Sequence, residues 1–364
     1  MKLKEIVSHL EALFPLELQE SYDNSGLLTG NSEMEITGTL LCLDITDEVL
    51  DEAINKGLNL VISHHPLVFH GLKKLTGAGM IERLVIKAIS HNLALYSMHT
   101  NFDNLHTGTN AILADKLHLL NQAILDPVAS KLQKLVTFVP VAHAEAVRLA
   151  IFEAGAGHIG QYDMCSFYQE GTGTFRASGS ANPFVGKKNE MHLEPEVRIE
   201  TVLPSHLQGR VIHALLSSHP YEEVVYDIYP LENKWAQTGM GMIGELAHEA
   251  SETDFLSSIK STLSVNMLRH SKLTGRKIKK VAVCGGSGSF LIPVAKRARA
   301  DALVTADLKY HQFYEGDGNL LLIDAGHFET EQFVLEIFHN VLIKKFPNFA
   351  IHFSESGINP VNYF

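Results

Sequence analysis

Leu60-Val-Ile-Ser-His64-His65-Pro66 is the stretch from which the rest of the chain can be placed. An apolar run ends abruptly in two imidazoles and a proline, which is how a buried strand of a parallel sheet delivers polar groups to its carboxyl edge. Pro66 biases His65 toward an extended backbone, where successive side chains point to opposite sides. The two rings therefore diverge, an arrangement suited to two metal ions rather than one.

Working outward, the flanking segments repeat the pattern. Upstream, Thr39-Leu-Leu-Cys-Leu-Asp44 reads as a buried strand, followed by a helix over 47–56 that Gly57 closes. Downstream, a helix near 80–90 leads to a strand at Leu93-Ala-Leu-Tyr-Ser-Met98. That strand runs into His99-Thr-Asn-Phe-Asp103, a second polar cluster at a carboxyl end. Before them all, Leu3, Ile6, Val7, Leu10 and Leu13 form a helical stripe. Ser21 to Leu27 is a turn-rich loop with more polar groups than a connector needs.

The last third repeats this plan. Lys280 to Cys284 resembles the Cys42 strand, and Asp301 to Thr305 precedes Asp307 and His311 as Leu60 to Ser63 precedes His64. Leu320 to Asp324 then runs into Ala-Gly-His327-Phe-Glu-Thr-Glu331. The expected fold class is therefore α/β, with two half-domains at 1–130 and 232–364, each a three-strand parallel core. Between them, 131–231 reads strand, helix, strand, strand, helix, strand, the βαββαβ order of an inserted ferredoxin-like α+β domain. Gly171 to Asn189, rich in Gly, Ser and Thr, reads as a long loop within it.

Composition narrows the function. At 364 residues the chain has room for two or three domains of about 150 each. A formal charge of -11, with no clustered Lys and Arg, argues against a nucleic-acid partner. No apolar run is long enough for a membrane, and the first residues form an amphipathic helix rather than a signal peptide, so a cytoplasmic location is expected. Cys42, Cys165 and Cys284 show no Cys-x-x-Cys spacing and read as buried free thiols.

His327 and Glu331, four apart at the start of a helix expected over 329–340, share one helix face and can chelate one ion or bridge to a second. With His64, His65 and Asp103 they make three histidines and two carboxylates, donors suited to zinc, manganese or iron. A single catalytic zinc takes three protein ligands and a water, so five side chains suit two ions sharing a carboxylate. His99 and His311 are candidate proton shuttles or supporting hydrogen-bond partners. Gly285-Gly-Ser-Gly-Ser289 offers backbone N–H groups to an anion but lacks the Lys of a P-loop.

Tyr-Asp-Asn-Ser-Gly-Leu (22–27), Ser-His-His-Pro (63–66), His-Thr-Asn-Phe-Asp (99–103), Cys-Gly-Gly-Ser-Gly-Ser (284–289), Asp-Leu-Lys-Tyr-His (307–311) and Asp-Ala-Gly-His-Phe-Glu-Thr-Glu (324–331) together resemble the Nif-three-like dinuclear metal proteins. These are often labelled GTP cyclohydrolase I type 2 homologues. The middle segment is similar to the PII-like insertion of the long bacterial members. The resemblance implies two interlocked α/β repeats forming one core, two divalent ions per chain on His64, His65, Asp103, His327 and Glu331, and a homohexamer. It also implies a small-molecule partner. The activity it suggests is a metal-dependent hydrolase acting on a nucleotide or other phosphorylated or cyclic small molecule. The alternative is a non-enzymatic metal-binding or regulatory protein whose PII-like domain senses a ligand. Two departures stand out: Met242 where Arg is expected, and Ala306 where glycine is usual before Asp307.

Overall fold

The computed structural model describes residues 1–362. In chain order its strands are β1 (Gly26–Thr29), β2 (Thr39–Cys42), β3 (Leu60–Ser63), β4 (Ala94–Ser97), β5 (Leu120–Val128), β6 (Leu132–Pro140), β7 (Ser166–Arg176), β8 (Met191–Pro204), β9 (Tyr226–Leu231), β10 (Trp235–Ala250), β11 (Arg269–His270), β12 (Ile278–Ser287), β13 (Ala302–Ala306), β14 (Leu321–Asp324) and β15 (Ile351–Phe353). They gather into two compact units, one formed by Met1–Pro127 with the chain from Gln237 onward, the other by Val128–Ala236.

The first unit holds two sheets, ordered β1-β4-β3-β2-β15 and β11-β14-β13-β12-β10-β5. In one, β15, β2, β3 and β4 are parallel neighbours; in the other, β12, β13 and β14 are. Every residue of β2, β3 and β4 is buried, as expected of strands covered on both faces. The crossover helices are written locally. Asp47–Asn55 starts where the Thr46 side chain accepts from the Val49 N–H, carries Asp47 and Glu48 in its first turn, and stops before Gly57 at a φ of 69°. Met80–Ser90 returns the chain to β4, burying Leu84, Val85 and Ala88.

Helix Leu3–Leu13 buries Leu3, Ile6 and Leu10 against Phe102, Phe338 and Leu342, so distant ends of the sequence share one core. Each such side chain contributes roughly 1.5–3 kcal/mol when fully buried. The helix expected over 329–340 is instead two pieces, His327–Glu331 and Val334–Lys345. Phe333, at the break, packs against the cores of both sheets, and the interruption lets the first piece aim independently of the second. Cys42 and Cys284 are buried and free, whereas Cys165, expected to be buried, is only partly so.

The second unit runs β6, helix Ala144–Glu153, β7, β8, helix Gln208–Ser218, β9. Its sheet is ordered β7-β8-β6-β9 with every neighbour antiparallel, the order of a split βαβ unit. Leu135, Val147, Ile151, Val211 and Leu215 fill the space between helices and sheet. The long loop expected over 171–189 is shorter than its composition suggests. Gly171–Arg176 belongs to β7 and pairs with Met191–Glu196 of β8, because ladder hydrogen bonds override the loop preference of Gly and Thr. No helix among the described residues is long and apolar enough to cross a membrane.

The chain leaves the first unit from β5 and returns in β10, and these strands are neighbours in one sheet. A short Gly/Ser linker in place of residues 128–236 is therefore expected to leave a folded first unit. Far-UV circular dichroism and a single cooperative melting transition check this, and an unfolded product would refute it.

Candidate metal centre

Polar residues collect at the carboxyl ends of the parallel strands of both sheets in the first unit. After β2 comes Asp44; after β3, His64 and His65; after β4, His99 and the short helix Thr100–Asp103. In the other sheet β12 ends through Gly285 and Gly286, β13 leads to Asp307, and β14 to Asp324 and the short helix His327–Glu331. Most of these residues line one cavity of about 820 Å³, with the fully buried His64 behind its wall. Carboxyl edges of parallel strands are where such folds place ligands.

Glu331 stands at the centre, 4% exposed. Its Oε1 lies 3.8 Å from His64 Nε2, which is itself 3.6 Å from Asp103 Oδ1. Its Oε2 lies 3.0 Å from both His65 Nε2 and His327 Nε2. One carboxylate thus addresses two groups of donors. The sequence expectation of diverging rings is not met: His64 and His65 are 4.9 Å apart by ring centroid, tilted 52°, and converge on one carboxylate, though on different oxygens of Glu331.

Each imidazole is oriented through its other nitrogen. His64 Nδ1 meets Met98 O at 2.8 Å, His65 Nδ1 meets Asp44 at 2.9 Å, His327 Nδ1 meets Asp307 at 2.7 Å, and His99 Nδ1 meets Asp23 at 2.8 Å. Carbonyls and carboxylates only accept, so Nδ1 carries the proton and, in the neutral ring, the Nε2 lone pair faces the site. Asp307 reaches this position from a left-handed backbone at φ 57°, a conformation Asp tolerates better than most residues.

The donors fit a cation. His64 Nε2 and Glu331 Oε2 are buried with no hydrogen-bond partner, the 3.0 Å approaches to Oε2 being close but misdirected for hydrogen bonds. His65 Nε2 and His327 Nε2 face each other at 3.2 Å, so without a proton or a cation between them their lone pairs repel. Burial pushes the His65 pKa down, but Asp44 and Glu331 outweigh it and raise it to about 10; His327 is raised to about 9 by Glu331 and Asp307 against the same burial effect. Burial would raise Glu331, yet the surrounding imidazoles hold it well below the usual carboxylate range. The pocket therefore favours positive charge. Two groups of donors, His64 with His65 and His99, and His65 with His327 and Glu331, lie within 4.8 Å and could hold a metal ion. Asp103 adds a carboxylate on the His64 side, positioned by the Thr109 hydroxyl.

Several sequence expectations change. The glycine stretch is not an anion cradle, because Gly285 N–H goes to Asn110 Oδ1 and Gly286 N–H to Thr330 Oγ1. Its role is steric. At Gly286, with φ 59°, a Cβ would collide with Glu331 Oε1 and approach His327 Nε2 to 3.1 Å. His99 lines the cavity, its ring 5.3 Å from His64 and 5.4 Å from His65. His311 does not line it; it sits exposed on the turn Tyr310–Tyr314 with its ring against Tyr310. Met242 is buried in an apolar core and Ala306 is fully buried, while a cation, Arg269, is delivered to the cavity from β11 and paired with Asp324. Asp23, Asp44 and Asp307 were not singled out as site residues in the sequence. For Asp23 the signal was the surplus of polar groups in its loop.

Fold and site together define a two-sheet α/β protein with a buried histidine and carboxylate cluster able to hold metal. Comparison with known sequences narrows this: the Duf34/NIF3 (NGG1p interacting factor 3) family matches residues 1–360, and the chain belongs to that family. It is similar to the GTP cyclohydrolase 1 type 2 homolog of Bacillus subtilis, 39% identical over 89% of this chain and 88% of the relative. A Staphylococcus epidermidis protein of the same name is 34% identical over the full length of both. Among solved structures, a Bacillus cereus protein related to NIF3 superposes with a TM-score of 0.87 at 38% identity, covering 100% of this chain and 99% of that one.

Because Gly286 leaves no room for a methyl group, Gly286→Ala is expected to displace Glu331 and weaken metal binding by roughly 10- to 100-fold. Titration with zinc under a competing chelator measures this; an unchanged affinity would show that the close packing is incidental.

Proposed function

We propose that the chain is a dinuclear metal protein in which His64, Asp103 and Glu331 hold one divalent ion and His65, His327 and Glu331 the other, with zinc, iron or manganese as the candidates. The observation that carries this reading is the buried Glu331 carboxylate, whose two oxygens face different histidines. We further propose that it is a hydrolase acting on a nucleotide or another phosphorylated or cyclic small molecule. The relatives' name, GTP cyclohydrolase 1 type 2 homolog, supports the nucleotide class. When bound, such ions supply Lewis acidity and lower the pKa of water at the site.

The chain's own residues do the rest. Asp44, Asp307 and Met98 O hold the imidazoles in the tautomer that presents Nε2. Asp23 does the same for His99, which leaves His99 Nε2 on the cavity side to accept or return a proton. Arg269 is placed to pair with an anionic substrate if Asp324 releases it. The same reading includes two interlocked repeats, a ferredoxin-like, PII-like insertion over 131–231, and a cytoplasmic homohexamer, all supported by the resemblance of the motifs.

Metal analysis of purified variants tests the ligand assignment. His65→Ala is expected to lower the content from about two ions per chain to about one, and Glu331→Gln to lower it further, since a bridging carboxylate serves both ions. His118→Ala and His339→Ala are expected to leave it unchanged. Equal content in all four variants would sink the site.

His99→Ala is expected to keep its metal and lose roughly 10²- to 10⁴-fold in hydrolytic rate. Absence of turnover by the metal-loaded parent on nucleotides, phosphoesters and cyclic amides would favour the non-enzymatic, regulatory reading instead.

A further inference from the structure

The second unit carries a half-open cavity of about 780 Å³ that shares no residue with the metal centre. On its wall lies Glu196, only 8% exposed. Among the described residues Glu196 makes no ion pair: of the two arginines that line the cavity, Arg198 pairs with Glu200 and Arg176 with neither. Its one hydrogen-bond donor is a neutral group, the Tyr221 hydroxyl, at 2.8 Å from Oε1. A carboxylate this buried ordinarily has a cationic partner, because desolvation without compensation costs several kcal/mol.

The surroundings are built to keep it there. At Gly173 any Cβ would collide with Glu196 Oε2, so the glycine in β7 makes the space that the carboxylate occupies. Tyr221 is fixed in turn: its N–H donates to His219 Nδ1, whose ring packs edge-on at 5.0 Å and whose Nε2 meets Phe138 O. Burial pushes the His219 pKa down, so that ring does not supply the missing charge. Four aromatic residues line the cavity, Phe138, Phe175 and Phe184 with Tyr221, and Phe175 and Phe184 lie 6.2 and 6.3 Å from the Tyr221 ring. Carboxylates outnumber guanidiniums along the lining, with Glu170, Glu196, Glu222 and Glu223 against Arg176 and Arg198.

We infer that this cavity is a binding site for an organic monocation with a flat aromatic body, its charge paired with Glu196 and its ring held among Phe138, Phe175, Phe184 and Tyr221. Charge complementarity selects the cation, and aromatic faces attract it through their quadrupoles once water is excluded. Cavity size and wall composition match those of small-molecule sites, in which a few fixed polar groups set orientation within an apolar lining. The inference rests on the second unit alone and stands or falls independently of the proposed hydrolase.

The test uses the full chain and two probes of matched shape, the N-methylquinolinium cation and the neutral N-methylquinolone, followed by calorimetry. The cation is expected to bind saturably and the quinolone at least about tenfold more weakly. Glu196→Gln keeps an acceptor for Tyr221 but removes the charge, and is expected to weaken cation binding at least about tenfold. Should that variant fail to fold, Phe184→Leu serves, since this ring is 51% exposed; it is expected to weaken cation binding about threefold or more. Equal binding of cation and quinolone, undiminished binding by the folded variants, or no saturable binding of the cation at concentrations on the order of 1 mM would each overturn the assignment.

Discussion

A single carboxylate buried between two sheets sets the terms for the centre. Glu331 cannot be withdrawn from water and left alone, so charge or hydrogen must be brought to it from every side. The imidazoles that do so come from β3 in one sheet and the His327–Glu331 turn in the other, and each is anchored by a carboxylate or carbonyl further out. These outer anchors multiply the negative charge around the cavity while fixing the rings. The result is a pocket whose preference for a cation follows from its residues before any ion is considered.

The same constraint explains the backbone oddities nearby. Gly286 has no side chain because the oxygen of Glu331 occupies that space, and Gly326, at φ 91°, turns the chain sharply into the short helix that bears His327. Asp307 adopts a left-handed conformation to bring its carboxylate under His327. Asn110 ties the Asp103 carbonyl to the Gly285 N–H, so the segment after β4 and the end of β12 are stitched together beside the donors.

Much of this could be read from sequence, and the gaps have physical reasons. Runs such as Leu60 to Ser63 and Leu320 to Asp324 announce buried parallel strands because apolar runs this short, bounded by turn residues, suit a sheet covered on both faces, and polar residues directly after them mark the edge. The spacing of His327 and Glu331 was legible for the same kind of reason. The roles of Asp44 and Asp307 were not: Asp307 stood out as a polar residue after a strand, but an Asp there looks like an ordinary turn until its imidazole partner is placed opposite. His311 misled in the opposite sense: its position after a strand matched the pattern, but the turn Tyr310–Tyr314 carries it to the surface. Gly171–Arg176 defeated composition, because pairing with β8 is a property of two segments and cannot be seen in one.

The pairing of β15 with β2 has a bearing on how the protein is made. Thr39 to Leu41 find their outer neighbours only in Ile351 to Phe353, and helix Val334–Lys345 completes the core that Leu3, Ile6 and Leu10 begin. During synthesis the ribosome therefore releases His64, His65 and Asp103 long before Glu331 and the closing strand exist, and the first sheet waits with one edge open. A nascent chain can gather histidines but not the carboxylate that joins them. Assembly of the complete donor set thus comes late in synthesis, and a chain truncated anywhere before β15 leaves the edge of β2 available to neighbours.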